Sequence, residues 1–227
     1  MTGRILLYLA GMAMLTACAT TAPEIQTGAN AEVIDGNLHR VDNSTFKVSY
    51  VDPDADFSKY NRVLVTPLGL DNVEIIQPNT SGSMMGRKDW VLTDADKTML
   101  SEIYMEVMKQ QLQTECGYTL VDAADDDVLE ISAMITTIAP SAAKDDNMSR
   151  GAGRTRVYTE GAGSMAIAIA YGDSETGEVL GLAKDARASN NTSFGINNSV
   201  TNRSDVRRML TSWAVNICNG LDRVHGK

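Results

Sequence analysis

The strongest constraint on the fold is a pair of apolar segments joined by a short polar turn. Ser164 to Tyr171 and Glu178 to Ala188 flank the turn sequence Gly172-Asp-Ser-Glu-Thr-Gly177, which is the pattern of a β-hairpin. Successive residues of a strand point to opposite faces, and in the first segment large apolar residues alternate with alanines. The large residues are Met165, Ile167 and Ile169. One face of the hairpin therefore carries large side chains and the other small ones, which would let another layer approach closely.

Shorter apolar runs and two amphipathic stretches surround the hairpin. The further predicted strands are Val63 to Val65, Val73 to Ile76, Tyr118 to Val121 and Val128 to Ile138. A capping box at Thr93 to Asp96 predicts a helix that ends at Gly117, and a second apolar stripe predicts a helix from Arg203 to Val224. The order of strands, helix, four strands and helix predicts an α+β fold: a mixed, largely antiparallel sheet with two helices packed on one face, a two-layer sandwich.

The amino terminus has the pattern of a signal peptide. Arg4 precedes an apolar run from Ile5 to Leu15, which is shorter than the roughly 20 residues that a membrane span needs. The sequence Leu15-Thr16-Ala17-Cys18 resembles the bacterial lipobox. The resemblance implies that the Cys18 thiol receives a diacylglyceryl group and that residues 1–17 are then removed. The new amino terminus of Cys18 would finally receive a further acyl chain. Because Ala19 stands where the inner-membrane retention signal has aspartate, the resemblance also implies a lipid-anchored, periplasm-facing protein of the outer membrane.

Composition divides the rest of the chain into a tether and one domain. Residues 18–45 are mostly small and polar and show no sustained period, so we expect a flexible, lipid-anchored tether. Residues 46–227 then form a single α+β periplasmic domain. The formal net charge of -9 disfavours nucleic acid and anionic lipid surfaces as partners. The expected partners are the membrane, through the lipid on Cys18, and another envelope protein.

Two cysteines remain besides the predicted lipidation site. Cys116 and Cys218 form an even pair in an oxidising compartment, where pairs commonly form a disulfide. Both lie beside the apolar stripe of their own predicted helix and near its carboxyl end. A bridge between them would require the two helices to run roughly parallel, and two buried free thiols are the alternative.

Three segments resemble a known family. These are Asp52-Pro-Asp-Ala-Asp-Phe-Ser-Lys-Tyr-Asn-Arg-Val-Leu-Val-Thr-Pro-Leu68, the hairpin, and the final helix with Trp213. Together they are similar to bacterial lipoproteins catalogued as domain of unknown function 3313, over about Phe46 to Val224. The resemblance implies a location and a fold, and it assigns no catalytic residue.

The residues that catalysis or metal binding needs are sparse. The two histidines are His39, in the predicted tether, and His225, three residues from the end, so a general base would come from a mobile segment. Asp52, Asp54 and Asp56 have the spacing that opens an EF-hand loop, but Phe57 and Val63 replace the required glycine and glutamate. We therefore expect no enzymatic activity, no cofactor and no metal site.

Two loop segments are the candidate contact surface. Arg150, Arg154 and Arg156 concentrate positive charge on an acidic protein, and Met84 and Met85 stand in a polar loop without an obvious core to enter. Two classes of function remain open. An accessory protein-interaction domain predicts a filled core and an exposed patch, whereas a carrier of a small apolar ligand between sheet and helices predicts a cavity lined by the hairpin's small face.

Overall fold

The computed structural model describes residues 21–78, 89–141, 158–159, 163–189, 195–196 and 199–226. The helices are α1 (Asp94–Met108) and α2 (Ser199–Val224). The strands are β1 (Glu24–Ile25), β2 (Val33–Ile34), β3 (Leu38–Asp42), β4 (Val48–Val51), β5 (Arg62–Val65), β6 (Glu74–Ile75), β7 (Thr119–Val121), β8 (Val128–Pro140), β9 (Tyr158–Thr159), β10 (Gly163–Asp173), β11 (Val179–Ala188) and β12 (Gly195–Ile196).

Most strands join one mixed sheet in the order β1-β3-β4-β11-β10-β8-β5-β7, with β2 paired to β3 and β6 to β8. The pairs formed by β5 with β7 and β8, and by β6 with β8, are parallel, whereas the other pairs are antiparallel. β9 and β12 form a separate two-stranded ribbon. The predicted α+β class and largely antiparallel sheet are confirmed.

The hairpin that the sequence predicts forms the centre of this sheet. β10 and β11 pair antiparallel from Ser164 opposite Ala188 to Tyr171 opposite Gly181. The turn closes through hydrogen bonds of 2.9 Å from the Asp173 amide to the Glu178 carbonyl and from the Gly177 amide to the Asp173 carbonyl. Gly177 has a φ of 73°, a left-handed conformation that glycine adopts without strain.

Helix α1 begins where the capping box predicts, and the helical structure that continues from it stops at the predicted Gly117. Thr93 caps the first turn by accepting a hydrogen bond from the Asp96 amide, while the Asp96 carboxylate accepts one from the Thr93 amide. After α1 the chain continues as a π-helical segment, Lys109–Glu115, and the turn ends at Gly117 with a φ of 75°. Apolar periodicity did not predict this π-helical geometry, which is rare in proteins and occurs mostly as short segments associated with α-helices.

Two links show that α1 and α2 lie side by side and run in the same direction. The Arg207 guanidinium donates to both Glu106 carboxylate oxygens at 2.8 Å. About ten residues further along each helix, Cys116 and Cys218 form a disulfide with Cα atoms 6.3 Å apart. Since the links occur in the same order along both segments, the helices are parallel, as the bridge requires.

The core lies between the sheet and these two helices. Met165, Ile167 and Ile169 of β10 are buried in one cluster with Leu210 and Trp213 of α2. Further members from α1 and β8 include Leu100, Ile103, Tyr104, Val107, Leu129, Ile131 and Ile135. The predicted two-layer packing, with both helices on the large face of the hairpin, is therefore what the structure contains.

The expected boundary between tether and domain is wrong. β1, β2 and β3 lie inside the segment predicted to be a flexible tether, and β3 pairs antiparallel with β4. Leu38 in β3 is only 3% exposed. Strands of two to five residues give too little alternation to be recognised, and these ones are held by cross-strand pairing, a long-range contact that local composition does not encode.

Among the described residues, no helix combines the length and the apolar composition that a membrane span requires.

Candidate functional site

One face of the central strands is left open by the helices. Ala166, Ala168 and Ala170 alternate with the buried residues of β10, and strand geometry places them on the face opposite the helices, where they are half-exposed. Ala168 lies opposite Met134 of β8, whose side chain is 42% exposed. We call the surface around Ala168, Ala170 and Met134 the open face. Its small side chains form a broad, shallow surface rather than a cleft.

This arrangement bears on the ligand-carrier hypothesis. That hypothesis requires a cavity between sheet and helices lined by the small residues of the hairpin. In the described part of the chain these alanines point away from the helices, and the sheet-helix space is occupied by nearly fully buried side chains such as Trp213 and Ile169. These alanines therefore do not line a space between the sheet and the helices.

A groove of about 440 Å³ lies where the open face meets the turns at one end of the sheet. Its aliphatic part consists of Leu38, Val179 and Leu182, and its polar lining is Asp35, Asn37, Asp52 and Glu178. We call it the acidic groove. Two consecutive residues with positive φ, Asp35 at 47° and Gly36 at 89°, form the tight β2–β3 turn that brings Asp35 and Asn37 to the rim.

One of the three aspartates with EF-hand spacing, Asp52, lines this groove. The side-chain nitrogen Nδ2 of Asn37 donates to Asp52 Oδ1 at 2.7 Å and to Asp54 Oδ2 at 3.3 Å. These hydrogen bonds join the β2–β3 turn to the end of β4. Asp56 instead accepts a hydrogen bond of 3.0 Å from the Ser58 amide and caps a short 3₁₀ turn. Asp52 and Asp54 therefore share the Asn37 side chain as a donor, whereas Asp56 serves a separate local contact.

A buried carboxylate fastens the hairpin turn next to the groove. Asp173 is 6% exposed and accepts hydrogen bonds from the Thr176 and Glu175 amides at 2.9 and 3.1 Å. It also accepts from Lys59 Nζ at 2.9 Å and from the Tyr60 hydroxyl at 2.8 Å. The backbone amide of Thr176 contributes most to holding the pKa of Asp173 well below its usual range, and the hydrogen bonds from Lys59 and Tyr60 add to this effect. Sequence reasoning missed this residue, because its partners come from a distant segment.

Asp125, Asp126 and Asp127 form a further acidic cluster, and two of them are paired with Arg62. Arg62 donates from Nε to both Asp127 oxygens at 2.8 and 3.0 Å, and from its terminal nitrogen to Asp125 at 2.7 Å. These hydrogen bonds lower the pKa of both carboxyl groups. Asp125, Asp126 and Asp127 are close enough together to bind an ion, and Arg62 already forms ion pairs with Asp125 and Asp127.

The histidines do not lie in mobile segments, which corrects that expectation. His225 packs against the Tyr118 ring, with centroids 5.6 Å apart. Its Nδ1 lies 2.7 Å from the Leu221 carbonyl oxygen and its Nε2 lies 3.0 Å from the Tyr60 carbonyl oxygen. Both ring nitrogens therefore face main-chain oxygens, an arrangement that orients the ring.

His39 is also ordered, since it lies within β3 and its Nδ1 is 2.7 Å from the Gln26 carbonyl oxygen. It is far along the chain from His225, and it supports the pairing of the amino-terminal strands rather than a second polar site.

The structure brings together one pair of predicted site residues, Cys116 and Cys218. The remaining predicted site residues lie outside the described part of the chain, and they stay predictions. They are Cys18, Met84, Met85, Arg150, Arg154 and Arg156.

Comparisons with known proteins give distant structural likenesses and one family. A DUF330 protein from Xanthomonas campestris superimposes with a TM-score of 0.40 and 10% identity over 74% of this chain and 86% of that one. A protein described as a candidate lipoprotein from Caulobacter crescentus gives 0.33 and 10%, over 69% and 92%. A PelC dodecamer from Paraburkholderia phytofirmans gives 0.31 and 12%, over 68% and 89%. No curated protein matches the chain.

The family suggested by the sequence resemblance is confirmed. The matching family model covers residues 37–217, so it begins within the segment that had been assigned to the tether, and it includes the strands from β3 onward and most of α2. The chain therefore belongs to the DUF3313 family, described as proteins of unknown function.

Proposed function

We propose that this chain is a non-enzymatic lipoprotein of the bacterial envelope, anchored to the outer membrane through Cys18, whose periplasm-facing domain binds another envelope protein. Binding takes place on the open face of the sheet. The domain acts as an accessory or assembly factor, and the lipid keeps it at the membrane surface where its partner is found.

The division of the sheet into two faces is the observation that carries this proposal. The large residues of β10 are buried under both helices, whereas Ala166, Ala168 and Ala170 of the same strand are half-exposed. Small side chains let the backbone of a partner approach closely, and the surface is not closed by any described element. The exposed Lys184 lies opposite Ala168 on this face, so the open face combines small apolar side chains with a positive charge on an otherwise acidic protein. Accessible apolar patches rimmed by polar groups are typical of contact sites.

Two methionines of similar exposure provide a matched test of the binding surface. Met134, on the open face, is 42% exposed, and Met105, on α1 on the other side of the sheet, is 40% exposed. A diazirine-bearing amino acid is placed at one position or the other in the full-length chain, and cells are illuminated. We expect the Met134 position to give one specific crosslinked envelope protein that the Met105 position does not give. Equal crosslinking from both positions, or none from Met134, would contradict the proposal.

The anchor is tested separately from the binding surface. We expect Cys18→Ala to abolish lipidation, so that the protein partitions with the soluble fraction and lacks the added mass of the acyl chains. Cys116→Ala is the control, because it changes a cysteine of the folded domain while leaving the predicted lipobox intact. A Cys18→Ala protein that stays membrane-bound with unchanged mass would remove the lipoprotein assignment.

A further inference from the structure

The acidic groove has an apolar base and a charged rim. Leu38 is 3% exposed yet lies outside the main core cluster, since it points to the open-face side with its neighbour Leu182. Val179 is 45% exposed and forms a wall of the groove. Around them stand three carboxylates, from Asp35, Asp52 and Glu178, and no cationic side chain is among the lining residues.

Each rim carboxylate keeps at least one oxygen that accepts no hydrogen bond from the described part of the protein. Asp52 accepts hydrogen bonds at Oδ1, from the Asn37 side chain and the Asp54 amide. The described residues donate no hydrogen bond to the carboxylate oxygens of Asp35 or Glu178. Within that same part of the chain, Asp35, Asp52 and Glu178 do not belong to a group whose ligand atoms lie within 4.8 Å of one another.

An aliphatic base beneath a negatively charged rim matches one kind of side chain. Lysine and arginine carry a hydrocarbon stem that packs on apolar surface and a cationic head that stays among polar groups at the edge. A neutral apolar side chain would leave the charge of the rim carboxylates uncompensated, and a small inorganic cation would leave the accessible parts of Val179 and Leu182 uncovered. Charge complementarity and shape therefore favour the same occupant.

We propose that the acidic groove binds a lysine or arginine side chain of the partner protein, which extends the contact on the open face to the end of the sheet. This inference rests on the proposed function, because it names the partner's chemistry at one point of that interface. The groove and the open face are continuous, since Leu182 lies opposite Ala170 in the β10–β11 register. A partner segment that crosses the alanines can thus place a basic side chain among the three carboxylates.

Methyl NMR reads the groove directly, because its aliphatic residues carry methyl groups. The full-length chain in detergent is labelled at leucine and valine methyls and titrated with N-acetyl-lysine N-methylamide, and in parallel with the norleucine analogue, which has the same stem without the amine. We expect saturable shifts at Leu38, Val179 and Leu182 for the lysine probe. We also expect binding at least about tenfold weaker for norleucine, and weaker lysine binding at high salt.

Two double variants of equal charge change separate rim binding from general electrostatics. Asp52→Asn with Glu178→Gln should weaken lysine binding at least about tenfold, while the carboxamide oxygen introduced at position 52 can still accept the structural hydrogen bonds. Asp126→Asn with Glu102→Gln removes two exposed carboxylates elsewhere and should leave the affinity unchanged. Equal loss in both variants, or shifts that do not saturate, would overturn the proposal. Larger shifts of the same methyl resonances on addition of Ca²⁺ alone would also overturn the proposal, because they would indicate an ion site.

The two proposals fail separately. A Met134 crosslink together with no lysine binding would keep the open face as the interface and reject the basic side chain. Lysine binding in the groove without a Met134 crosslink would instead reject the open face as the contact surface, and with it this account of the groove.

Discussion

The two faces of β8 and β10 differ although the same strands build both. On the helix-covered face, Ile131, Ile135 and Ile169 are at most 1% exposed and pack in one cluster. On the open face, small or flexible residues such as Ala168 and Met134 remain accessible. Strict alternation thus assigns stability to one set of residues and accessibility to the set between them. A change of register by one residue would exchange the two roles.

In such strands, the size of a side chain indicates which face of the sheet is covered. Large apolar residues identify the side that packs, while their small neighbours identify the side that stays available, provided no third layer covers them. The predictions that follow test whether the covered side alone holds the fold together, and they run from the largest expected change in stability to the smallest.

Removing the disulfide should weaken the layer that covers the sheet. The bridge joins residues 102 apart in sequence, and constraining so long a loop stabilises the folded state by about 4 kcal/mol in the chain-entropy model. We expect Cys116→Ser with Cys218→Ser to lower the free energy of unfolding by roughly that amount, measured by urea denaturation. The reduced wild type is the control and should behave alike. Labelling of both thiols in unreduced, unfolded protein would show that the bridge is not formed.

A pair of truncations compares the two faces directly. Ile169→Ala removes a side chain that is 1% exposed and should cost about 3 kcal/mol, through lost burial and the cavity left behind. Met134→Ala removes a large side chain from the open face and should change stability by less than about 0.5 kcal/mol. Chemical denaturation of the purified variants measures both. Similar costs for the two would mean that the open face is packed against something in the folded protein.

Asp173 stabilises the hairpin turn rather than either face of the sheet, so its removal gives a third stability change to compare. Its folded-state pKa lies below the unfolded value of about 3.9, so its stabilising contribution is present above that value and is lost as the pH falls below it. We expect Asp173→Asn to cost about 2 kcal/mol at neutral pH. Denaturation at pH 7 and at low pH should show this difference shrinking in acid.

The smallest effect concerns a polar atom on the covered face. The Tyr104 hydroxyl is buried with no hydrogen-bond partner among the described residues, whereas the Tyr118 hydroxyl donates to Asp222 at 3.0 Å. Burying an unsatisfied hydroxyl is unfavourable, so Tyr104→Phe should stabilise the protein by up to about 1 kcal/mol. Tyr118→Phe should destabilise it by a similar amount. Melting temperatures of the two variants give the signs, and a clear loss of stability in Tyr104→Phe would show that this hydroxyl does have a partner.

Local signals in the sequence predicted the elements that depend on neighbouring residues. The hairpin, the capping box at Thr93 and the helix end at Gly117 all arise from contacts within a few positions. Helix α2 begins at Ser199, four residues before the predicted start, because its apolar stripe is weak there.

The features that the sequence did not reveal depend on residues far apart in the chain. Lys59 and Asp173, which are 114 positions apart, meet only once the 3₁₀ turn and the hairpin turn are in place. The acidic groove likewise joins the β2–β3 turn to the start of β11. The short strands β1 and β2 gain their hydrogen bonds from β3, so their own composition carries almost no signal.

The bridge between Cys116 and Cys218 also determines what a protease can release. It encloses β7, β8, β10 and β11, the strands at the centre and at one edge of the sheet. A single backbone cut anywhere between the two cysteines leaves both fragments covalently joined. A nicked molecule would therefore migrate as one species on a non-reducing gel and separate into two bands only after reduction, and α2 would stay attached to the part of the chain that precedes the cut.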